Sequence, residues 1–150
     1  MTAAALYREQ VLQHAKAPRH FRRVDDATIH VPGHNPLCGD KLELFVTFKD
    51  GQVVDVSFQA TACAICVASA SMLAELLSGL DLPEANVLTE SVRQMLSDSA
   101  DEALPDMLVD LPIAALKEVR RYPSRVKCAS LAWQAMAAAL DGRDERISTE

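Results

Sequence analysis

No stretch of this 150-residue chain stays apolar for the roughly 20 residues that a bilayer-spanning helix needs. Residues 1–23 hold no apolar core of signal-peptide length with a small-residue cleavage site behind it. A cytoplasmic protein is the expectation, in a compartment where thiols stay reduced. Positive charge is also short. Fifteen Lys and Arg stand against 21 Asp and Glu, a formal −6, which argues against nucleic acid as a partner because phosphate binding needs a basic surface. Cysteine is scarce, with four in the chain, too few for a disulfide framework to replace a core. At this length one domain over residues 1–150 buries enough apolar surface without covalent help.

What is present changes period along the chain. Leu6, Val11, Leu12 and Ala15 recur at helical spacing, so residues 4–16 read as a short helix that ends before Pro18. Residues 18–40 carry three prolines and two glycines and read as loop, with one short strand around Thr28–Val31. Leu42, Leu44, Val46 and Phe48 then alternate with Lys41, Glu43, Phe45, Thr47 and Lys49, the pattern of a half-buried strand. Asp50-Gly51 marks a hairpin turn, and the return strand alternates through Val54, Val56 and Phe58. After Cys63 the chain turns helical, and Ser69 to Leu80 places Met72, Leu73, Leu76, Leu77 and Leu80 on one face. Pro83, Pro105 and Pro112 divide the next region into short helices, Val92, Met95 and Leu96 forming one apolar face. Asp110 is placed to cap a helix with Ile113, Leu116 and Val119 inward. A last, alanine-rich helix runs from about Cys128 to Leu140, and 141–150 is a polar, flexible tail. The expected fold is α+β: a small antiparallel sheet of about three strands, an N-terminal helix and a C-terminal set of helices.

Charge is unevenly spread. Residues 81–110 hold eight acids against Arg93 alone, the pattern of a solvated helical surface. Residues 117–127 hold Lys117, Arg120, Arg121, Arg125 and Lys127 against Glu118, immediately before Cys128, where cations favour a thiolate. His14, His20, His30 and His34 read as surface residues, although His34 lies near Cys38 in sequence.

The thiols carry the functional question. Cys63 and Cys66 form the chain's one Cys-x-x-Cys, which suits a redox couple, half a zinc site, or one working thiol beside an incidental one. Cys38 lies in "NPLCGD" just before the first strong strand, with Gly39 free to turn the backbone so that Cys38 and Asp40 face one point. Cys63 follows the return strand. A hairpin puts the start of one strand beside the end of the other, so Cys38, Asp40 and Cys63 converge. Cys128 is expected at a helix N-terminus, where partial positive charge lowers a thiol pKa. Three thiolates and a carboxylate are a complete four-coordinate set for a borderline-soft cation such as zinc (Zn2+). The competing reading is four ordinary buried or incidental cysteines.

Three segments, "NPLCGD", "GQVVDVSFQATACAICVASASML" and "RYPSRVKCASLAW", resemble in order the motifs of the SufU/IscU/NifU-type iron–sulfur cluster assembly proteins, over about Leu6 to Leu140. The segment before Cys128 and the long gap after Cys63 are most similar to the SufU branch. The resemblance implies Cys38, Asp40, Cys63 and Cys128 as metal or cluster ligands and Cys38 as sulfur acceptor. It implies a SufS-type cysteine desulfurase and downstream cluster assembly machinery as partners; net charge and hydropathy lead us to expect no nucleic acid and no membrane. It also implies zinc-dependent sulfur transfer, or alternatively a scaffold for a nascent 2Fe–2S cluster; a zinc-stabilised interaction domain is the third, plainer possibility. Arg125 and Lys127 are candidate accessory groups. Ala60 and Ala62 stand where the family usually has glycine, and Cys66 where it usually has serine. Cys66 is read either as a serine replacement facing the interior or as a resolving thiol or alternative ligand.

Overall fold

The computed structural model describes residues 2–149. Helix α1 spans Ala3–Lys16 and opens where Thr2 Oγ1 accepts the Ala5 N–H at 3.1 Å, which satisfies one of the donors a helix start leaves unpaired. Three strands follow: β1 (Ile29–Asn35), β2 (Asp40–Lys49) and β3 (Gln52–Thr61). β2 and β3 form the expected hairpin, with Asp50 and Gly51 at φ of 53° and 77°, the positive values that an Asp-Gly turn supplies. β1 runs antiparallel on the far side of β2, from Ile29 opposite Val46 to Asn35 opposite Asp40.

Alternation along the hairpin holds for Leu42, Leu44 and Val46, all buried, and fails in two places. Phe45 points away from the helices yet is only 2% exposed. The His30 ring stacks on it at 4.7 Å and the Arg23 guanidinium lies 5.5 Å from its centroid. Val54, expected inward, is half exposed. The register jumps from Thr47 opposite Asp55 to Phe48 opposite Val53, so Val54 is the extra residue of a bulge and Val53 turns inward in its place.

Helices α2 (Ala64–Leu77), α3 (Leu82–Ser97) and α4 (Pro123–Leu140) complete the fold with two 3₁₀ segments, Asp106–Leu108 and Pro112–Arg121. α2 packs on β3 and α4 on β1 and β2. The two helices are joined by a buried polar clasp: Ser69 Oγ donates to the Ala129 carbonyl at 2.6 Å and accepts the Trp133 indole N–H at 3.0 Å. Instead of several short helices, the acidic region begins with one 16-residue helix. Asp81 caps it through the Glu84 N–H, Pro83 sits in its first turn, and Val92, Met95 and Leu96 are buried as expected. Asp110 does not cap. The longer 3₁₀ segment starts after Leu111 with no side-chain cap, although Ile113, Leu116 and Val119 do turn inward.

The C-terminal segment departs furthest from its expected form. After Leu140 the chain reverses at Gly142 (φ 73°), where the Arg143 N–H donates to the Ala138 carbonyl at 2.8 Å, closing the helix. It returns so that Ile147–Ser148 form β4, parallel to β1, and the sheet order is β3-β2-β1-β4. The sheet is therefore four-stranded and mixed. Polar composition suggested a free tail because it says nothing of the unpaired backbone at the edge of β1.

His14, taken as a surface residue, is only 3% exposed. Its Nδ1 lies 2.7 Å from Ser71 Oγ, which also accepts the Arg19 N–H at 2.8 Å and so keeps its own proton for the imidazole. Burial lowers the His14 pKa below 6.5, the nearby charge of Arg19 lowers it further, and Glu75 opposes both. The folded state thus resists a proton that the unfolded chain accepts. Stability is complete above about pH 6.5 and is lost as pH falls from there through the folded-state pKa. Urea denaturation between pH 7.5 and 5 should show this loss, and His14→Gln should flatten it.

Candidate metal centre

The site forms where β1, β2, α2 and α4 meet. Residues 36–39 make the exposed turn between β1 and β2, and Gly39 at φ 71° bends the chain so that Cys38 is exposed and Asp40, one residue on, is buried. Hydrogen-bond register fixes Asn35 opposite Asp40. β3 ends at Thr61 and Cys63 is the N-cap residue of α2, with no side-chain capping bond. Its thiol is thus left for other partners.

Asp40 holds the parts together. Its Oδ1 accepts the Cys63 backbone N–H at 2.8 Å, and its Oδ2 accepts from Asn35 Nδ2 at 3.3 Å and faces Cys63 Sγ at 3.7 Å. Cys128 Sγ lies 3.5 Å from Cys38 Sγ and also receives an Asn35 N–H at 3.5 Å. Donor atoms of Cys38, Asp40 and Cys128 all lie within 4.8 Å of one another. Cys63 touches this group through Asp40 but does not come within that distance of all three. A tetrahedral zinc with sulfur at about 2.3 Å and oxygen at about 2.0 Å has ligand–ligand edges of roughly 3.5–3.8 Å. The Cys38–Cys128 and Cys63–Asp40 separations fall in that range, so Cys38, Asp40 and Cys128 fit a single cation, with Cys63 beside Asp40 but outside the group.

Cys128 differs from its expected setting. Pro123 starts α4 five residues earlier than the sequence pattern suggested, so Cys128 sits in the second turn, away from the positive helix end. Its thiol pKa is raised, chiefly by burial, then by hydrogen bonding to Cys38 and Cys63. Proline at the first helical position is the signal that could have located this start. Arg125 lies over the Tyr122 ring at 4.3 Å and Lys127 is exposed. Among the described residues neither hydrogen-bonds nor ion-pairs with the four donors. Cys66 is fully buried in the core, and burial, followed by the charges of Asp40, Cys63 and Cys38, pushes its thiol pKa well up. His34 is not among the grouped donors.

Ala60 and Ala62 impose no strain. Ala60 pairs with Leu42 inside β3, and among the described residues the only non-glycines at positive φ are His20 and Asp50. The residue that sequence reasoning missed is Asn35. It is fully buried, touches two of the four donors, and accepts a hydrogen bond from Thr149 Oγ1 at 2.8 Å.

Comparison with known proteins gives the family. The NifU-like N-terminal domain family matches residues 6–148. The chain is 35% identical to the zinc-dependent sulfurtransferase SufU of Bacillus subtilis over 132 residues, 87% of this chain and 86% of that one. It is 32% identical to the iron–sulfur cluster assembly scaffold protein IscU of Thermotoga maritima over 141 residues, 93% and 96% of the two chains. A putative SUF-system iron–sulfur scaffold protein from Fervidobacterium islandicum superposes with a TM-score of 0.80 at 28% identity, over 91% of this chain and 97% of its own. The fold agrees with that neighbour, and the chain belongs to the NifU-like N-terminal domain family of iron–sulfur cluster assembly proteins.

Proposed function

We propose that this chain relays sulfur: Cys38 accepts the terminal sulfur of a cysteine desulfurase persulfide at a zinc site formed by Cys38, Asp40, Cys63 and Cys128. The observation that carries this reading is the asymmetry of the cluster. Asp40 and Cys128 are buried and Cys63 half-buried, while Cys38 is exposed on a turn. One donor can leave toward a partner while the others stay. The similarity to a zinc-dependent sulfurtransferase supports the same choice.

Zinc bound at these donors would keep the thiols deprotonated at neutral pH and protect them from oxidation. The transfer itself is thiol–disulfide exchange. The Cys38 thiolate attacks the outer sulfur of the donor persulfide, a new S–S bond forms on Cys38, and the donor's S–S bond breaks with its electrons returning to the desulfurase thiolate. No net oxidation occurs. Asp40 contributes an oxygen donor, weaker toward zinc than a fourth thiolate, which eases exchange of one ligand. Exposed Leu37, beside Cys38, lies on the surface that a docking partner meets. Arg125 and Lys127 add positive charge on the same helix as Cys128 and act on an approaching anion rather than on zinc. A SufS-type desulfurase and a cytoplasmic location accompany this reading.

The same donors suit a nascent 2Fe–2S cluster, and the similarity to IscU scaffolds at nearly equal identity favours keeping that second reading. Metal analysis and the visible spectrum separate the two. One zinc per chain without visible absorption is expected for the relay, and brown absorption with iron and sulfide would establish the scaffold. Cys38→Ala should abolish the acceleration of alanine release when a desulfurase is added. Undiminished acceleration would remove Cys38 from the acceptor role.

Cys66 is a core residue in this reading, the Cys-x-x-Cys being one ligand and one packing thiol. Cys66→Ser should retain one zinc per chain and cost no more than about 1–3 kcal/mol in unfolding free energy. Loss of zinc from that variant would make Cys66 a ligand.

A further inference from the structure

We propose that Asn35 is a positioning residue of the donor cluster and that the C-terminal strand anchors its side chain in place through Thr149; the inference rests on the metal-site reading above. An asparagine amide has one accepting and one donating end, and rotation by half a turn exchanges them. The donating end of Asn35 faces Asp40 Oδ2 at 3.3 Å and Cys128 Sγ at 3.5 Å, one N–H for each. Its accepting end takes the Thr149 hydroxyl proton at 2.8 Å. A flipped amide would set its oxygen against a carboxylate and a thiolate, which only accept, so those two groups select the orientation, and the Thr149 hydroxyl anchors the amide in place by pairing its far end.

The elements around Thr149 explain how a residue 114 positions away reaches the site. Gly142 reverses the chain after α4, Ile147–Ser148 pair with Gly33 and His34 of β1, and the Thr149 N–H donates to the His34 carbonyl at 3.2 Å. That backbone bond delivers the Thr149 hydroxyl to the neighbouring residue, Asn35. Thr149 is 9% exposed and Asn35 fully buried, so water does not offer Asn35 Oδ1 a ready substitute donor.

Asn35 has two effects on the four donors. It fixes the Asp40 carboxylate plane against rotation, and its N–H toward Cys128 Sγ offsets part of the negative charge that three thiolates and a carboxylate accumulate. Removal of partners that orient metal ligands typically weakens binding about 10–100-fold.

The test uses the full chain and three variants: Thr149→Val, which keeps the shape and deletes the hydroxyl, Thr149→Ser, which restores it, and Asn35→Leu. Zinc affinity is read by competition with a chromogenic chelator. The cobalt-loaded protein reports on ligand geometry through its thiolate charge-transfer band, and the thermal midpoint of the metal-free protein reports on the fold. Thr149→Val should raise the zinc dissociation constant about 10-fold and shift the cobalt band while leaving the metal-free midpoint close to that of the parent. Thr149→Ser should restore both readouts, and Asn35→Leu should weaken zinc by up to about 100-fold. Parental zinc affinity and cobalt spectrum in Thr149→Val would overturn the proposal, as would a loss of affinity that merely follows a fall in the metal-free midpoint. If Cys128→Ser and Cys38→Ala lose zinc while Thr149→Val does not, only this inference fails. If those cysteine variants also keep parental affinity, the metal-site reading fails with it.

Discussion

The buried Asp40 carboxylate is the interaction on which the site depends. Removing a carboxylate from water costs several kcal/mol unless the protein returns the lost hydrogen bonds. At Asp40 they are returned by the Cys63 backbone N–H and the Asn35 amide, groups from α2's start and the end of β1. Because each bond is directional, the carboxylate sets how β2 meets the N-terminus of α2 and how the β1–β2 turn presents Cys38. The hairpin brings Cys38 and Cys63 to one end of the sheet, and Asp40 is hydrogen-bonded to Cys63 while its carboxylate groups with Cys38 and Cys128.

The fourth donor comes from elsewhere in the chain and needs a different constraint. Cys128 lies on α4, whose position against α2 is set by Trp133 and Ser69. The indole is fully buried, its N–H ends on the Ser69 hydroxyl, and that hydroxyl passes its own proton to the α4 backbone at Ala129. Ser69 lies six positions after Cys63, and Ala129 follows Cys128 directly. A slip of α4 by one turn would move Cys128 about 5 Å and leave buried polar groups unpaired. The clasp therefore fixes the Cys63–Cys128 relation much as Asp40 fixes the Cys38–Cys63 relation.

Local patterns made much of this legible. The hairpin, the α1 boundary, much of the inward face of α2 and the closeness of Asp40 to Cys63 follow from periodicity and turn chemistry acting over a few residues. The failures share a cause in tertiary contacts. Val54 is turned outward by a bulge that no propensity marks, and Phe45 is buried by His30 and Arg23 from other segments. His14 reads as a solvated imidazole until Ser71 of α2 is placed against it. Ile147–Ser148 is too short and too polar to read as a strand, and it pairs because β1 offers an edge. Asn35 gave no sign of its role because Thr149, one of its partners, lies in the segment whose composition suggested disorder.

The exposure gradient across the donors has a chemical consequence beyond ligand count. A thiol that hands sulfur onward must reach a partner's active site, whereas the ligands left behind must not rearrange when it leaves. Cys38 meets the first requirement because it stands on a four-residue turn pinned at both ends, by Asn35 in β1 and Asp40 in β2. The turn lies outside the ladder hydrogen bonds of both strands. Cys128 and Asp40 meet the second, since each is buried and hydrogen-bonded by Asn35. Cys63 is intermediate, held by its backbone N–H while its side chain keeps some freedom. A site with four equally buried thiolates would bind zinc more tightly and release none of them. The contrast between one exposed thiol and two buried donors arises from one glycine turn placed at the end of a well-packed sheet.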